Sequence, residues 1–199
     1  MTSQTPEDIQ NILNEEAPRR RRGISLGSLV LLVGVIMAVG TVGWAYLEQT
    51  RAQPTHGSAP EFTLTTFDGE PFSLAEHRGN IVILNFWGSW CAPCREEAPD
   101  LERIHQRYHD RGVVLLGVTY AESSQQDSLD FIEEFGLTYT NAPDERTTVA
   151  DRYRIRGVPE TFVIDRDGQI ADGGFFYEPV NEAILSDLLD RLLAEESQS

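Results

Sequence analysis

The chain has no lysine, and its 16 basic residues are all arginine, against 32 aspartates and glutamates. The four acidic residues before Glu48 are balanced by Arg19–Arg22, so the whole formal charge of −16 falls on residues 48–199. An acidic surface of this kind repels nucleic-acid phosphates and anionic lipid headgroups. We therefore expect no nucleic-acid partner and a mild preference for basic protein partners.

Metal-binding side chains are also scarce, since the chain has two cysteines, two methionines and four histidines. A structural zinc site generally needs four Cys or His ligands, and Cys91 and Cys94 are the only cysteines in the sequence. His105 and His109, spaced i and i+4, are the remaining metal alternative. So few methionines, with no Cys–His cluster, also argue against copper handling. We predict no metal site.

Residues 24–47 carry no charge and would form a helix about 36 Å long, enough to cross a bilayer core of about 30 Å. Arg19–Arg22 precede this run, and Trp44 and Tyr46 lie near its other end. The positive-inside rule then predicts a single-pass anchor in the cell membrane, with a cytoplasmic N-terminus and an extracytoplasmic remainder. The alternatives are a twin-arginine export signal or a cleaved secretory signal, whose apolar core is normally shorter, about 7 to 15 residues.

The rest of the chain is predicted to be one globular domain, because it shows no internal repeat and no second periodic block. The predicted boundaries are a tail at 1–23, the membrane helix at 24–47, a linker at 48–58, the domain at 59–195 and a tail at 196–199. The predicted elements are a β-hairpin turning at 68–69, strands at 80–87 and 112–120, a strand–turn–strand unit at 161–177, and helices at 91–108, 128–136, 147–155 and 181–196. Their alternation predicts a three-layer α/β sandwich with a mixed sheet.

The final helix carries an apolar stripe that we expect to face the core. Its predicted members are Ile184, Leu188 and Leu192, which recur every four residues.

Cys91 and Cys94 lie between a buried strand and a helix. A thiol at a helix N-terminus has a lowered pKa, because unpaired backbone N–H groups and the helix dipole favour the thiolate. Cys94, one turn later, is close enough to attack a mixed disulfide formed at Cys91. A permanent staple closing so small a loop would stabilise little. The pair is therefore interpreted as a working dithiol, a redox-active Cys91–Cys94 disulfide that needs no added cofactor.

The segments "FWGSWCAPC" (86–94) and "GVPETFVID" (157–165) resemble the thioredoxin superfamily. Within it, they are similar to the membrane-anchored TlpA/ResA/CcmG (DsbE)-like thiol–disulfide oxidoreductases, over about residues 59–195. The resemblance implies a thioredoxin-like α/β/α sandwich with an N-terminal β-hairpin and a central insertion within 113–141. It also implies catalysis by Cys91 as nucleophile and Cys94 as resolving thiol.

The same resemblance implies a client groove facing the cysteine pair. Pro159 matches the cis-proline of such proteins, and Val158 would offer backbone hydrogen bonds to an extended substrate. Glu160 would lie at the mouth of this groove, with a plain solvent-exposed carboxylate as the alternative. The residues expected to contact substrate are Trp90, Pro93, Val158, Pro159 and Glu160.

One position departs from ordinary thioredoxin. The strand residue six before the first cysteine, an aspartate in thioredoxin, is Asn85 here, so the usual buried proton acceptor is missing. Glu97, three residues after Cys94, matches an acidic position of the ResA- and CcmG-like groups. We predict that Glu97 assists proton transfer at the cysteines. The alternative is a solvated helix carboxylate beside Arg95.

The two residues between the cysteines are Ala92 and Pro93, so no histidine lies there to stabilise the thiolate strongly. The cysteine pair is therefore predicted to act as a reductant. By resemblance, the expected client is the haem-attachment Cys-x-x-Cys of an apocytochrome c. The expected electron source is a transmembrane thiol donor of the CcdA/DsbD kind.

The alternatives are a general extracytoplasmic reductase, including copper-site assembly in an oxidase, and a non-enzymatic binding or metallochaperone module. A peroxiredoxin is disfavoured because the Pro-x-x-x-Thr/Ser-x-x-Cys environment is absent before Cys91.

Overall fold

The computed structural model of the chain describes residues 26–50 and 52–195, with side chains left undescribed at 47–50. Two compact units divide at Arg51 and Ala52. The predicted tails at 1–23 and 196–199, and the arginine run within the first of them, lie outside the described residues.

The first unit contains helix α1, Leu26–Thr50. Its segment Leu26–Tyr46 has a mean hydropathy of 2.3 and no buried residue, so it is long and apolar enough to cross a membrane. The helix is thus compatible with a single-pass anchor. It continues past the predicted boundary at residue 47, because Glu48 and Gln49 are good helix formers and the first breaker, Pro54, comes later.

The second unit is built on a six-stranded mixed sheet with the order β1-β8-β7-β4-β5-β6. Strands β4, β5 and β6 run parallel, and β7, β8 and β1 extend the sheet in antiparallel pairs. Strands β2 and β3 form the predicted hairpin apart from this sheet. The strands are β1 Gly57–Ser58, β2 Thr63–Thr65, β3 Pro71–Ser73, β4 Ile81–Trp87, β5 Val113–Thr119, β6 Thr140–Pro143, β7 Glu160–Ile164 and β8 Gln169–Phe176.

Helices cover both faces of the sheet, and all seven residues of β4 are buried between them. Successive β4 side chains point to opposite faces, so Ile81 and Ile83 join one core cluster and Val82 and Leu84 join the other. The helices are α2 Ala92–Tyr108, α3 Gln125–Phe135, α4 Thr148–Tyr153 and α5 Glu182–Glu195, with 3-10 turns at Leu74–His77 and His109–Arg111. The predicted three-layer thioredoxin-like fold is confirmed.

The predicted stripe of α5 is wrong at its first member. Ile184 is 46% exposed, whereas Leu185, Leu188 and Leu189 are almost completely buried. Leu188 and the partly buried Leu192 pack on the core as predicted, and Leu185, which lies i−3 from Leu188, takes the place expected for Ile184.

Two short strands were not predicted. Gly57–Ser58, placed in the linker by the sequence, pairs with Gln169 and Ile170 as β1. Thr140–Pro143 pairs with β5 as β6 although it contains Asn and Pro, which are uncommon in strands. Both are edge segments, and pairing with an existing strand defines them better than their own composition does.

Candidate active site

Cys91 is the N-cap of α2, and its side chain forms a disulfide with Cys94 across a Cα–Cα distance of 5.3 Å. The backbone N–H of Cys94 donates to Cys91 Sγ at 3.2 Å. Pro93 occupies the first turn of the helix, where a missing N–H costs nothing. The sulfur of Cys91 therefore lies among the unpaired N–H groups of the helix, where a thiolate is favoured.

The segment before β7 brings distant residues against this disulfide. The Val158–Pro159 peptide bond is cis, and the carbonyl oxygen of Val158 lies 3.4 Å from Cys91 Sγ. The structure thus brings together the two sequence motifs that carried the family resemblance. Once reduced, the Cys91 thiol has an acceptor in the Val158 carbonyl.

Glu97 is buried one helical turn beyond Cys94, with 1% of its surface exposed. Its Oε1 accepts a hydrogen bond from Asn85 Nδ2 at 2.8 Å, and its Oε2 accepts from the Val180 backbone N–H at 3.0 Å. Burial raises the pKa of Glu97 to about 7, although both hydrogen bonds act in the opposite direction. The interpretation of Glu97 as a solvated surface carboxylate is wrong. A carboxyl group that titrates near neutrality can both take and return a proton there.

Asn85 holds this carboxyl group in place. Its Nδ2 donates to Glu97 and also to Thr161 Oγ1 at 2.9 Å, whereas its buried Oδ1 has no partner among the described residues. The sequence marked Asn85 only as a missing proton acceptor. The structure shows that it is a donor to the carboxylate on the neighbouring helix.

Glu160 is also buried, with 4% of its surface exposed, so the solvent-exposed alternative is wrong. Its Oε1 accepts from the Arg156 backbone N–H at 3.0 Å, and its Oε2 accepts from Gln53 Nε2. The residue borders a cavity of about 500 Å³ that is also lined by Val158 and Pro159. Glu160 therefore lies at the wall of this cavity beside Val158 and Pro159, and each of its carboxylate oxygens accepts a hydrogen bond.

Trp90 is 57% exposed beside the disulfide, and its Nε1 donates to the Ala121 carbonyl oxygen at 3.2 Å. Ser89 donates from both its backbone N–H and its hydroxyl to the Glu122 carboxylate. The loop before Cys91 is therefore fixed by the connection between β5 and α3. Sequence reasoning missed Glu122, because nothing in its local pattern indicates a contact 33 residues away.

The metal alternative finds no support in the described part of the chain. There, no group of three or more His, Cys, Asp or Glu side chains is placed to hold an ion. His105 and His109 do approach each other, with ring centroids 5.1 Å apart, but a pair alone falls short of a structural zinc site.

Known proteins match this chain over the same region. A profile described as the AhpC/TSA family matches residues 56–172. The thioredoxin-like protein YneN of Bacillus subtilis is 38% identical, covering 69% of this chain and 84% of that protein. The thiol–disulfide oxidoreductase ResA of Geobacillus kaustophilus is 32% identical, covering 76% of this chain and 87% of that protein. The chain belongs to the AhpC/TSA family, among the ResA-like thiol–disulfide oxidoreductases.

Solved structures agree with this membership. The crystal structure of a secreted Mycobacterium tuberculosis disulfide oxidoreductase, homologous to Escherichia coli DsbE, superposes on this oxidoreductase with a TM-score of 0.59 and 26% identity. The match covers 66% of this chain and 96% of that chain. The protein is therefore an enzyme of thiol–disulfide exchange with a thioredoxin-like fold.

Proposed function

We propose that this oxidoreductase reduces disulfides in extracytoplasmic client proteins and that Cys91, Cys94 and Glu97 carry the reaction. The observation that supports this most directly is the Cys91–Cys94 pair at the start of α2, facing Val158 across 3.4 Å. In this arrangement the helix N-terminus favours the attacking thiolate, and the segment opposite can hold an extended client.

The reaction begins with the reduced pair. The Cys91 thiolate attacks one sulfur of the client disulfide, forming a mixed disulfide and releasing the first client thiolate. Glu97, in its carboxylate form, takes the proton of Cys94. The resulting Cys94 thiolate attacks Cys91 Sγ, which releases the second client thiolate and forms the Cys91–Cys94 disulfide. Two electrons pass from the enzyme to the client, and the released client thiolates take up protons.

The proposed client is the oxidised haem-attachment Cys-x-x-Cys of an apocytochrome c. The proposed donor is a transmembrane thiol protein of the CcdA/DsbD kind, which returns two electrons to the Cys91–Cys94 disulfide. Helix α1 supports an anchored enzyme, with the arginine run of residues 19–22 on the cytoplasmic side. The secreted relative supports a catalytic domain outside the cytoplasm.

Trapping the mixed disulfide tests both the mechanism and the client. In detergent-solubilised full chain, we expect Cys91→Ser to abolish disulfide reduction. Cys94→Ser should accumulate a mixed disulfide through Cys91, and a peptide bearing an oxidised haem-attachment motif should be trapped in preference to an oxidised peptide of unrelated sequence. The double variant is the control and should trap neither peptide. Full activity of Cys91→Ser would refute the mechanism, and equal trapping of both peptides would refute the cytochrome client.

A further inference from the structure

The segment that joins α1 to the catalytic domain, residues 52–58, is here called the strap. Its end is fixed to the sheet, because Gly57 pairs with Ile170 and Ser58 pairs with Gln169. The Ser58 hydroxyl also lies 3.3 Å from Gln169 Oε1. The C-terminal end of the strap is therefore part of the sheet edge and is not an unpaired linker.

Gln53, near the start of the strap, lines the cavity beside Val158 and Pro159, which we take as part of the client groove. Its Nε2 donates to Glu160 Oε2, while the backbone N–H of Arg156 donates to Glu160 Oε1 at 3.0 Å. A buried carboxylate without such donors is costly. Among the described residues, Gln53 thus supplies one of the two hydrogen bonds that hold Glu160 beside Pro159.

Gln53 also forms part of the cavity wall. The cavity of about 500 Å³ has Gln53 and Glu160 on its lining together with Val158, Phe175 and Tyr177. Tyr177 is 72% exposed. Amide groups and backbone beside aromatic rings suit an extended polypeptide, whose backbone forms hydrogen bonds while an apolar side chain packs on the rings. The volume lies within the range of ordinary binding pockets, about 300 to 1,000 Å³.

Gln53 lies outside the stretch that the family profile matches, which begins at residue 56. We propose that Gln53 determines client specificity by holding Glu160 with its amide nitrogen while its amide oxygen accepts a backbone N–H of the client. This inference rests on the proposed function. It means that the strap following the membrane helix is a working part of the client groove.

The test compares two substrates of the detergent-solubilised full chain. One is a short peptide with an oxidised Cys-x-x-Cys, and the other is bis(2-hydroxyethyl) disulfide, which has no peptide N–H to donate to Gln53. Loss of one hydrogen bond predicts that Gln53→Ala raises KM for the peptide about 3- to 10-fold, with kcat changed less than about 2-fold. The rate with bis(2-hydroxyethyl) disulfide should change less than about 2-fold.

A second variant and a control sharpen the test. Gln53→Glu places a carboxylate against Glu160, so KM for the peptide should rise further, and less so at acidic pH, where a carboxyl group is neutral. Thr55→Ala is the matched control, because the Thr55 hydroxyl contacts only the neighbouring His56 among the described residues. It should behave as the wild type.

Three results would overturn the inference. The first is an unchanged peptide KM in both Gln53 variants. The second is a matching loss of rate with bis(2-hydroxyethyl) disulfide, which would indicate a purely structural role. The third is a wild type that reduces neither substrate, which would refute the proposed function as well. An active wild type with normal Gln53 variants refutes the inference alone.

Discussion

Two buried carboxyl groups lie near the cysteine pair, and their surroundings differ. Glu97 is held by an amide side chain from β4 and a backbone N–H of the loop before α5. Glu160 is held by a backbone N–H just before β7 and by Gln53 of the strap. Glu97 is thus enclosed by the core of the domain, while Glu160 borders an open cavity.

The difference suits two separate tasks of a thiol–disulfide oxidoreductase, which are proton transfer at the cysteines and contact with a client. An enclosed carboxyl group with a pKa raised to about 7 by burial can store a proton close to the resolving cysteine. A carboxyl group at a cavity wall, with both oxygens already bonded, is suited to shape the surface that a client touches. We infer that Glu97 serves the chemistry and Glu160 serves recognition.

The largest expected effect concerns stability. The folded domain keeps the Glu97 proton up to about pH 7, whereas the unfolded chain releases it near the usual pKa of 4.5. Stability from this group is therefore fully present below about pH 4.5 and is lost as pH rises to about 7, by about 3 kcal/mol at 1.36 kcal/mol per pKa unit. Urea unfolding at several pH values should show this loss in the wild type relative to Glu97→Gln. Parallel pH profiles of the two proteins would contradict it.

The second effect concerns the rate of exchange. Removing a group that transfers protons typically costs a hundredfold or more, and because water can replace Glu97 in part we expect Glu97→Gln to lower kcat about tenfold near pH 7. The dependence of the rate on a group titrating near pH 7 should disappear with it. Stopped-flow measurement of client reduction from pH 5 to 9 checks both. Glu96→Gln, which changes the exposed neighbour, is the control and should retain the wild-type profile. An equal loss of kcat in Glu96→Gln would show that the loss follows from removing a negative charge and not from losing proton transfer by Glu97.

The smallest effect concerns client binding. Glu160→Gln replaces one carboxylate oxygen by an NH₂ group, although Gln53 and the Arg156 backbone N–H both donate to Glu160. One of these two donors then faces another donor, so one hydrogen bond is lost. KM for a peptide client should therefore rise about threefold. The pH profile of kcat should stay as in the wild type, and steady-state kinetics over the same pH range measures it. If Glu160→Gln instead removes the step near pH 7, the division between the two carboxyl groups is wrong.

Much of the fold was predictable because local patterns and burial agree there. The run before Cys91, apolar except for Asn85, predicted a central strand, and all seven residues of β4 are buried. Prediction failed where a neighbour decides the structure. Ile184 and Leu185 are equally apolar, and only the position of α5 on the domain selects Leu185 for the core.

In the candidate site, too, local patterns were predictable and contacts between distant residues were not. The spacing of Cys91 and Cys94 and the resemblance around Pro159 predicted which residues meet. The sequence did not predict that a backbone N–H 83 residues from Glu97 would bind its carboxylate, because any non-proline residue supplies that donor. The sequence likewise did not predict the contact between Gln53 and Glu160, because Gln53 lies in a segment interpreted as a linker.

The sequence by itself determined the class of this protein: an apolar helix, a thioredoxin-like domain and one pair of cysteines at redox spacing. These features depend on residue types and short spacings, which a linear chain displays directly. The tertiary structure alone decided the environments of Glu97 and Glu160, since burial and hydrogen bonding depend on what the folded chain brings alongside. Solvation, and with it the pKa of Glu97, is a property of that packing and has no counterpart in the order of the residues.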